Sequence, residues 1–171
     1  MRTPLSGFRE SGLNINGRRI AAFIGMKEPS DKRKRTLALH ARALRFTTAV
    51  NDACPQYFTN KPSAAAWDQL IRAANGTSNN LIEADAASSN ADFLSKMSIA
   101  LREAKESNAE LAKIRMGHLD HHKITEQADL ESEAGQLASI YATIILNMRA
   151  RLEREKNNNQ PRRGKRLDRT D

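Results

Sequence analysis

A single cysteine, Cys54, and a single valine, Val50, stand in a chain of 171 residues. One thiol excludes an intramolecular disulfide framework and any zinc or iron–sulfur site built from several cysteines; it agrees with a reducing, cytoplasmic setting. Aromatic residues are also scarce: five Phe, two Tyr and one Trp, against 25 Ala, 16 Leu and 11 Ile. β-branched and aromatic residues stock strands, whereas Ala and Leu stock helices. This composition predicts an all-α fold. No apolar run approaches the roughly 20 residues that span a bilayer, and the stretch Ile20 to Met26, broken by Gly25, is too short for the apolar centre of a secretion signal. The expectation is a cytoplasmic protein with no membrane partner.

Signatures of catalysis are missing as well. There is no glycine-rich phosphate loop, no Gly-x-Ser-x-Gly elbow and no Glu-x-x-His pair of the kind that holds di-iron in helical bundles. Glu103, Glu106 and Glu110 share a helix face, but Lys96, Arg102, Lys105 and Lys113 surround them, so they read as a solvated, ion-paired surface. His118, His121 and His122 have metal-compatible spacing in a short connecting segment; an exposed turn is the better reading. The chain is predicted to be no enzyme and to carry neither metal nor cofactor.

What the sequence does have is charge, unevenly placed. Residues 1–36 carry a net +6, residues 37–148 a net −3 and residues 149–171 a net +5, within a total of +8. A mildly acidic middle between two basic ends points to a polyanionic partner met by the ends. The candidate contacts are Lys32, Arg33, Lys34 and Arg35 in the first run, and Arg162, Arg163, Lys165 and Arg166 in the second. Neither run is interleaved with aromatics, so neither offers a platform for stacking bases. Both suit phosphates, in a salt-sensitive and weakly sequence-selective way.

Between the ends, apolar residues recur at helical spacing. Leu39, Ala43, Phe46 and Val50 form a first stripe, widened by Leu37, Ala41 and Leu44 and stopped before Pro55. Ala66, Leu70, Ala73, Thr77, Leu81 and Ala84 form a second, opening at Pro62 and interrupted by Gly76. A mid-helix glycine costs about 1 kcal/mol relative to Ala, which predicts close approach of a neighbouring backbone. Ser88, Ser89 and Asn90 are N-cap choices for a third helix, whose seam Phe93, Met97, Ala100, Ala104, Ser107, Leu111 and Ile114 is a regular heptad, with Gly117 just past its end. Thr125 can cap a fourth, with stripe Leu130, Ala134, Leu137, Tyr141, Ile144 and Met148.

Four such helices on short connections predict an up-down-up-down antiparallel four-helix bundle over residues 34–156. A disordered basic leader (1–33) precedes it and a disordered basic tail (157–171) follows. Met26 opens a plausible alternative start, which makes residues 1–25 an unstructured leader.

One row on the second helix does not fit a plain solvated surface. Arg72, Gly76, Asn80 and Glu83 fall on one side, next to the apolar stripe, with Gln69 one turn earlier. Gln69, Arg72, Asn80 and Glu83 are predicted to form a structural polar network with neighbouring helices, fixing their register.

The segments Gln69-Leu-Ile-Arg-Ala73, Asn80-Leu-Ile-Glu-Ala84 and Asp92 to Ser107, with Arg35-Thr-Leu-Ala-Leu39 before them, resemble the signature of the bacterial four-helix-bundle proteins encoded by intervening sequences of 23S ribosomal RNA genes. The likeness covers about residues 33–150. It departs from the family pattern at Ala74 and Asn75, where small residues are usual, and at Asn108 and Ala109, where aromatics are common. The resemblance implies a non-enzymatic bundle that assembles with itself, as a homopentameric ring. The chain is also similar to the accessory variability determinants of diversity-generating retroelements, which implies a nucleic-acid partner and a reverse transcriptase as a protein partner. The alternative function is therefore an oligomeric adaptor that recruits such a partner without touching nucleic acid.

Overall fold

The computed structural model describes residues 28–57, 61–116 and 124–159, the side chains of 124–128 excepted. Four helices account for nearly all of them: α1 (Asp31–Ala53), α2 (Lys61–Asp85), α3 (Asn90–Met116) and α4 (Ile124–Asn158). Among the described residues there is no strand, and no helix is long and apolar enough to cross a membrane.

The helix ends follow local chemistry. Ser30 caps α1: its hydroxyl accepts from the Arg33 N–H at 3.3 Å and its carbonyl from the Lys34 N–H at 2.9 Å. With Asp31 in the first turn, where the helix dipole favours an acid, α1 opens three residues before Lys34, where the basic and apolar pattern alone begins it. Of the three cap candidates for α3 it is Ser89 that serves, accepting from the Asp92 N–H at 3.1 Å and the Phe93 N–H at 2.9 Å. Pro62 lies in the first turn of α2, where its missing N–H costs nothing. Gly117 lies outside the described residues, as does the side chain of Thr125.

Contacts divide the chain into two compact units, one ending at Ala38 and one beginning at Leu39. The second holds the bundle, and its cross-helix bonds give the directions. Thr47 on α1 bonds the Ala74 carbonyl and Ser78 of α2, while His40, two turns earlier, lies 3.9 Å from Asp85. Gln69 of α2 reaches Glu106 of α3, and Glu83 reaches Lys96. Asn108 of α3 donates to the Glu131 carbonyl of α4 at 2.7 Å, and Asn90 accepts from Arg151. Arg42 of α1 closes the set on Glu133 of α4. In each of the first three pairs one number rises as the other falls, which sets α4 antiparallel to α1 as well. The bundle is antiparallel throughout.

Its core is filled by Phe46 and Val50 of α1, Trp67 and Leu70 of α2, Met97, Leu111 and Ile114 of α3, and Leu137 and Tyr141 of α4. Small residues make up the rest: Ala73, Ala74 and Thr77 on α2, and Ala100, Ala104 and Ser107 on α3, are all buried. Short side chains let backbones approach, and α2 and α3 pack along each other more extensively than α3 and α4. The buried hydroxyls do not violate the apolar rule. Thr77 donates to the Ala73 carbonyl and Ser107 to the Glu103 carbonyl, each at 2.9 Å, so each is satisfied one turn back on its own helix.

The buried edge of α2 contains the predicted Leu70, Ala73, Thr77, Leu81 and Ala84, but differs at its start. Ser63, Trp67, Leu70, Ala74, Thr77, Leu81 and Ala84 are all buried, at strict steps of four and three, whereas Ala66 is only half-buried. On α1, Leu37 and Leu44 do not widen the stripe: they are 43% and 45% exposed. On α4 the interior residue beyond Tyr141 is Ile145, with Ile144 half-buried.

Candidate functional site

The polar row of α2 faces α3 in part. The Gln69 amide donates to the Glu106 carboxylate across the helix pair, and its oxygen accepts from Arg72 on its own helix. Arg72 otherwise pairs with Asp68 at 3.1 Å, one turn back and largely in solvent. Asn80 turns its amide onto the Gly76 carbonyl at 2.9 Å. Glu83 accepts from Lys96 of α3 at 2.5 Å, and that carboxylate holds the ammonium above its usual range. Two of the four residues, Gln69 and Glu83, thus bridge to α3; Arg72 and Asn80 bond within α2.

Gly76 lies on the same line. A Cβ built there would stand 2.8 Å from Cγ of Glu103, inside van der Waals contact. The close approach that the glycine permits is that of a side chain from α3, not the neighbouring backbone predicted from its position. This also corrects the reading of the α3 carboxylates as a solvated surface. Glu110 is buried, with Lys113 bonded to it at 2.5 Å, and Glu103 and Glu106 are half-buried along α2. The signal was present in the sequence only as a coincidence of two faces: α2 offers a glycine where α3 offers a glutamate.

A second polar contact joins α1 to α4. The Arg42 guanidinium grips Glu133 with two bonds, Nε to Oε1 at 2.6 Å and Nη2 to Oε2 at 2.7 Å, and Nη2 also donates to Gln136 at 2.7 Å. The hydrogen bond from Arg42 outweighs partial burial and holds the Glu133 carboxyl below the usual carboxylate range. An open groove of about 380 Å³ lies beside this pair, lined also by Arg45, Phe46, Ala49 and Leu130. Arg42 and Glu133 are matched to each other, and the groove walls hold no nucleophile paired with a base. Behind it, burial pushes the Tyr141 phenol up, and its hydroxyl lies 3.5 Å from the Thr77 carbonyl. Among the described residues, no three His, Cys, Asp or Glu side chains gather as metal ligands. His118, His121 and His122 lie outside them.

The basic run at the start of α1 is helical. Lys32, Arg33, Lys34 and Arg35 occupy its first turns, and all four are exposed. Consecutive residues step about 100° around a helix, so the four cations fan around the helix end instead of forming one stripe. Lys34 has a loose partner in Glu28 at 3.3 Å, with both side chains more than half exposed. Cations at a helix N-terminus gain nothing from the helix dipole, which prefers anions there. That placement does not stabilise the helix, yet it puts positive side chains beside backbone N–H groups that also attract phosphate.

The other basic run, Arg162, Arg163, Lys165 and Arg166, lies outside the described residues. The helix leading into it was missed as a basic element by the sequence reading. Arg149, Arg151, Arg154 and Lys156 are all exposed on the last turns of α4; Arg151 is shared between Glu155 at 3.4 Å and Asn90 at 3.4 Å. The net +5 of residues 149–171 was the available signal.

No family model matches the chain, and no curated protein does. Among solved structures, it is similar to a protein of unknown function from the S23 ribosomal protein family of Bacteroides thetaiotaomicron VPI-5482. The identity is 20%, the TM-score 0.54, and the match covers 64% of this chain and 96% of that one. At that identity the likeness is one of fold.

Proposed function

We propose that this chain is a non-catalytic, cytoplasmic four-helix-bundle protein that assembles with itself and binds nucleic acid, RNA or DNA, through its basic segments. The observation that carries this reading is the exposed quartet Lys32 to Arg35, displayed on the first turns of α1. Side chains of that kind neutralise phosphates and release counterions without reading base edges. The basic end of α4 and the sequence that follows it supply a second segment of the same character. Self-assembly multiplies both: each added copy brings another pair of basic segments to one polyanion, raising avidity with no new kind of contact. The resemblance to ring-forming bundle proteins supports assembly in the same sense.

The test replaces Lys32, Arg33, Lys34 and Arg35 together by alanine in the full-length protein. Alanine keeps the helix, so circular dichroism stays unchanged. Affinity for a labelled RNA or DNA at low salt falls by about tenfold or more, and by a similar factor for unrelated sequences. An unchanged affinity overturns the role of the quartet. Failure of the wild-type protein to bind any nucleic acid overturns the reading and leaves the adaptor role.

A further inference from the structure

The two basic segments are far apart in the chain, and the bundle brings the points from which they issue to one end. His40 of α1 lies 3.9 Å from Asp85, the last residue of α2. Arg151 of α4 donates to Asn90, the first residue of α3, at 3.4 Å. Asp85 and Asn90 bound the short connection between α2 and α3, so His40, Asp85, Asn90 and Arg151 mark a single end of the bundle. The quartet Lys32 to Arg35 comes five to eight residues before His40 on the same helix. The cations of the last α4 turns lie on either side of Arg151. The chain therefore enters the bundle from one basic segment and leaves it into the other at the same end.

Charge along α4 is sorted in the same sense. Residues 124–133 carry four acidic side chains and no basic one, residues 134–148 carry no charge, and residues 149–158 carry four basic and two acidic. Most acids at the basic end are engaged within the chain: Glu83 and Asp92 act on Lys96, Glu155 pairs with Arg151, and Asp85 lies beside His40. Glu153 is exposed and unmatched. Against it stand Arg149, Arg154 and Lys156, all exposed and without a bonded partner among the described residues. Past Arg151, α4 continues to Asn158, about 10 Å beyond the first residue of α3 at 1.5 Å per residue. We propose that Arg149, Arg154 and Lys156 join the quartet in one phosphate-binding surface, so that the bundle meets a nucleic acid end-on, with both segments on the same short stretch of backbone. A cyclic assembly keeps this arrangement: rotation about one axis sets the same end of every copy at one level, and the basic ends share a rim.

Such a surface presupposes the proposed nucleic-acid binding and gives its location. The probe is short by design. A DNA hairpin of about eight base pairs spans about 27 Å at 3.4 Å per pair, whereas α2 alone, with 25 residues, spans about 38 Å. The hairpin reaches both segments of one copy only when they act at one end. R149A/R154A/K156A in the full-length protein spares Arg151 and its bond to Asn90. It weakens hairpin binding at low salt by about tenfold or more and lowers the salt slope by up to about 2.7, with circular dichroism unchanged. Replacing the quartet by alanine weakens binding of the same hairpin by a comparable factor. E153K, which removes the unmatched acid, strengthens hairpin binding by about threefold or more; as a gain, it keeps the test decisive should the triple variant fold poorly. Hairpin affinity that either α4 variant leaves unchanged overturns the end-on surface and leaves nucleic-acid binding standing. So does a loss in R149A/R154A/K156A seen on a duplex of about forty base pairs but not on the hairpin. A wild-type protein that binds neither probe overturns both.

Discussion

Two edges of the bundle are joined by polar side chains, and they are built differently. Between α1 and α4 the contact is concentrated: one guanidinium holds Glu133 with two bonds and Gln136 with a third, and Arg42 and Glu133 are about 30% exposed. Between α2 and α3 it is distributed along about four turns of α2, from Gln69 and Glu106, past Gly76 and Glu103, to Glu83 and Lys96. There the charged pair is the outermost element, with Glu83 53% exposed. Geometry and burial, more than the number of ion pairs, decide how much such an edge contributes. The first edge should behave as a single joint, the second as a fit of shapes.

Breaking the joint has the largest effect. Glu133→Ala leaves a half-buried guanidinium without its planar partner and is expected to cost about 1–3 kcal/mol in urea unfolding. The same pair sets a pH dependence. Because the Glu133 carboxyl is depressed in the folded state, its contribution is present above the unfolded glutamate value, 4.5, and is lost as pH falls through the lower folded value. The stability difference between wild type and Glu133→Gln is therefore constant near neutral pH and narrows in acid. A difference that does not change between about pH 6 and about pH 3 contradicts the assignment.

The fit of shapes is probed at Gly76. Alanine there brings about 1 kcal/mol of helix propensity, but its Cβ collides with Glu103. Gly76→Ala alone is expected to give none of that gain, whereas in a Glu103→Ala background the gain of about 1 kcal/mol returns. Equal effects in both backgrounds contradict the contact. The smallest effect is expected from Lys96→Ala, whose ammonium is bonded to an exposed carboxylate; the urea midpoint should not move beyond error.

How much of this was legible in the sequence depends on whether one helix sufficed to show it. The α3 seam was read correctly past its first residue: Phe93 is half-buried, but Met97, Ala100, Ala104, Ser107, Leu111 and Ile114 repeat at heptad spacing and all are buried. The α2 edge was read correctly at five of the six residues predicted, Leu70, Ala73, Thr77, Leu81 and Ala84; only its start was missed. The regular run from Ser63 through Trp67 and Leu70 to Ala84 was available, but Ser63 is polar and an alanine stripe competed with it. Features that need two helices at once were harder to read. Nothing in α3 by itself says that Glu103 lies in the space left by Gly76, or that Glu110 is buried, since the angle at which α2 packs is set by the whole core. The Arg42–Glu133 joint, 91 residues apart in the chain, left no local trace at all. The basic quartet was legible as charge; that it is helical came from the Ser30 cap.

The most direct test of the central claim, that basic segments meet a polyanion through its phosphates, is the salt dependence of binding by the full-length protein. The logarithm of the association constant is expected to fall linearly with the logarithm of salt concentration. Each neutralised phosphate adds about 0.9 to the slope on a DNA duplex and about 0.7 on a single strand, and removing Lys32, Arg33, Lys34 and Arg35 lowers the slope on a duplex by up to about 3.6. A slope near zero, or one that is the same with and without the quartet, would contradict it.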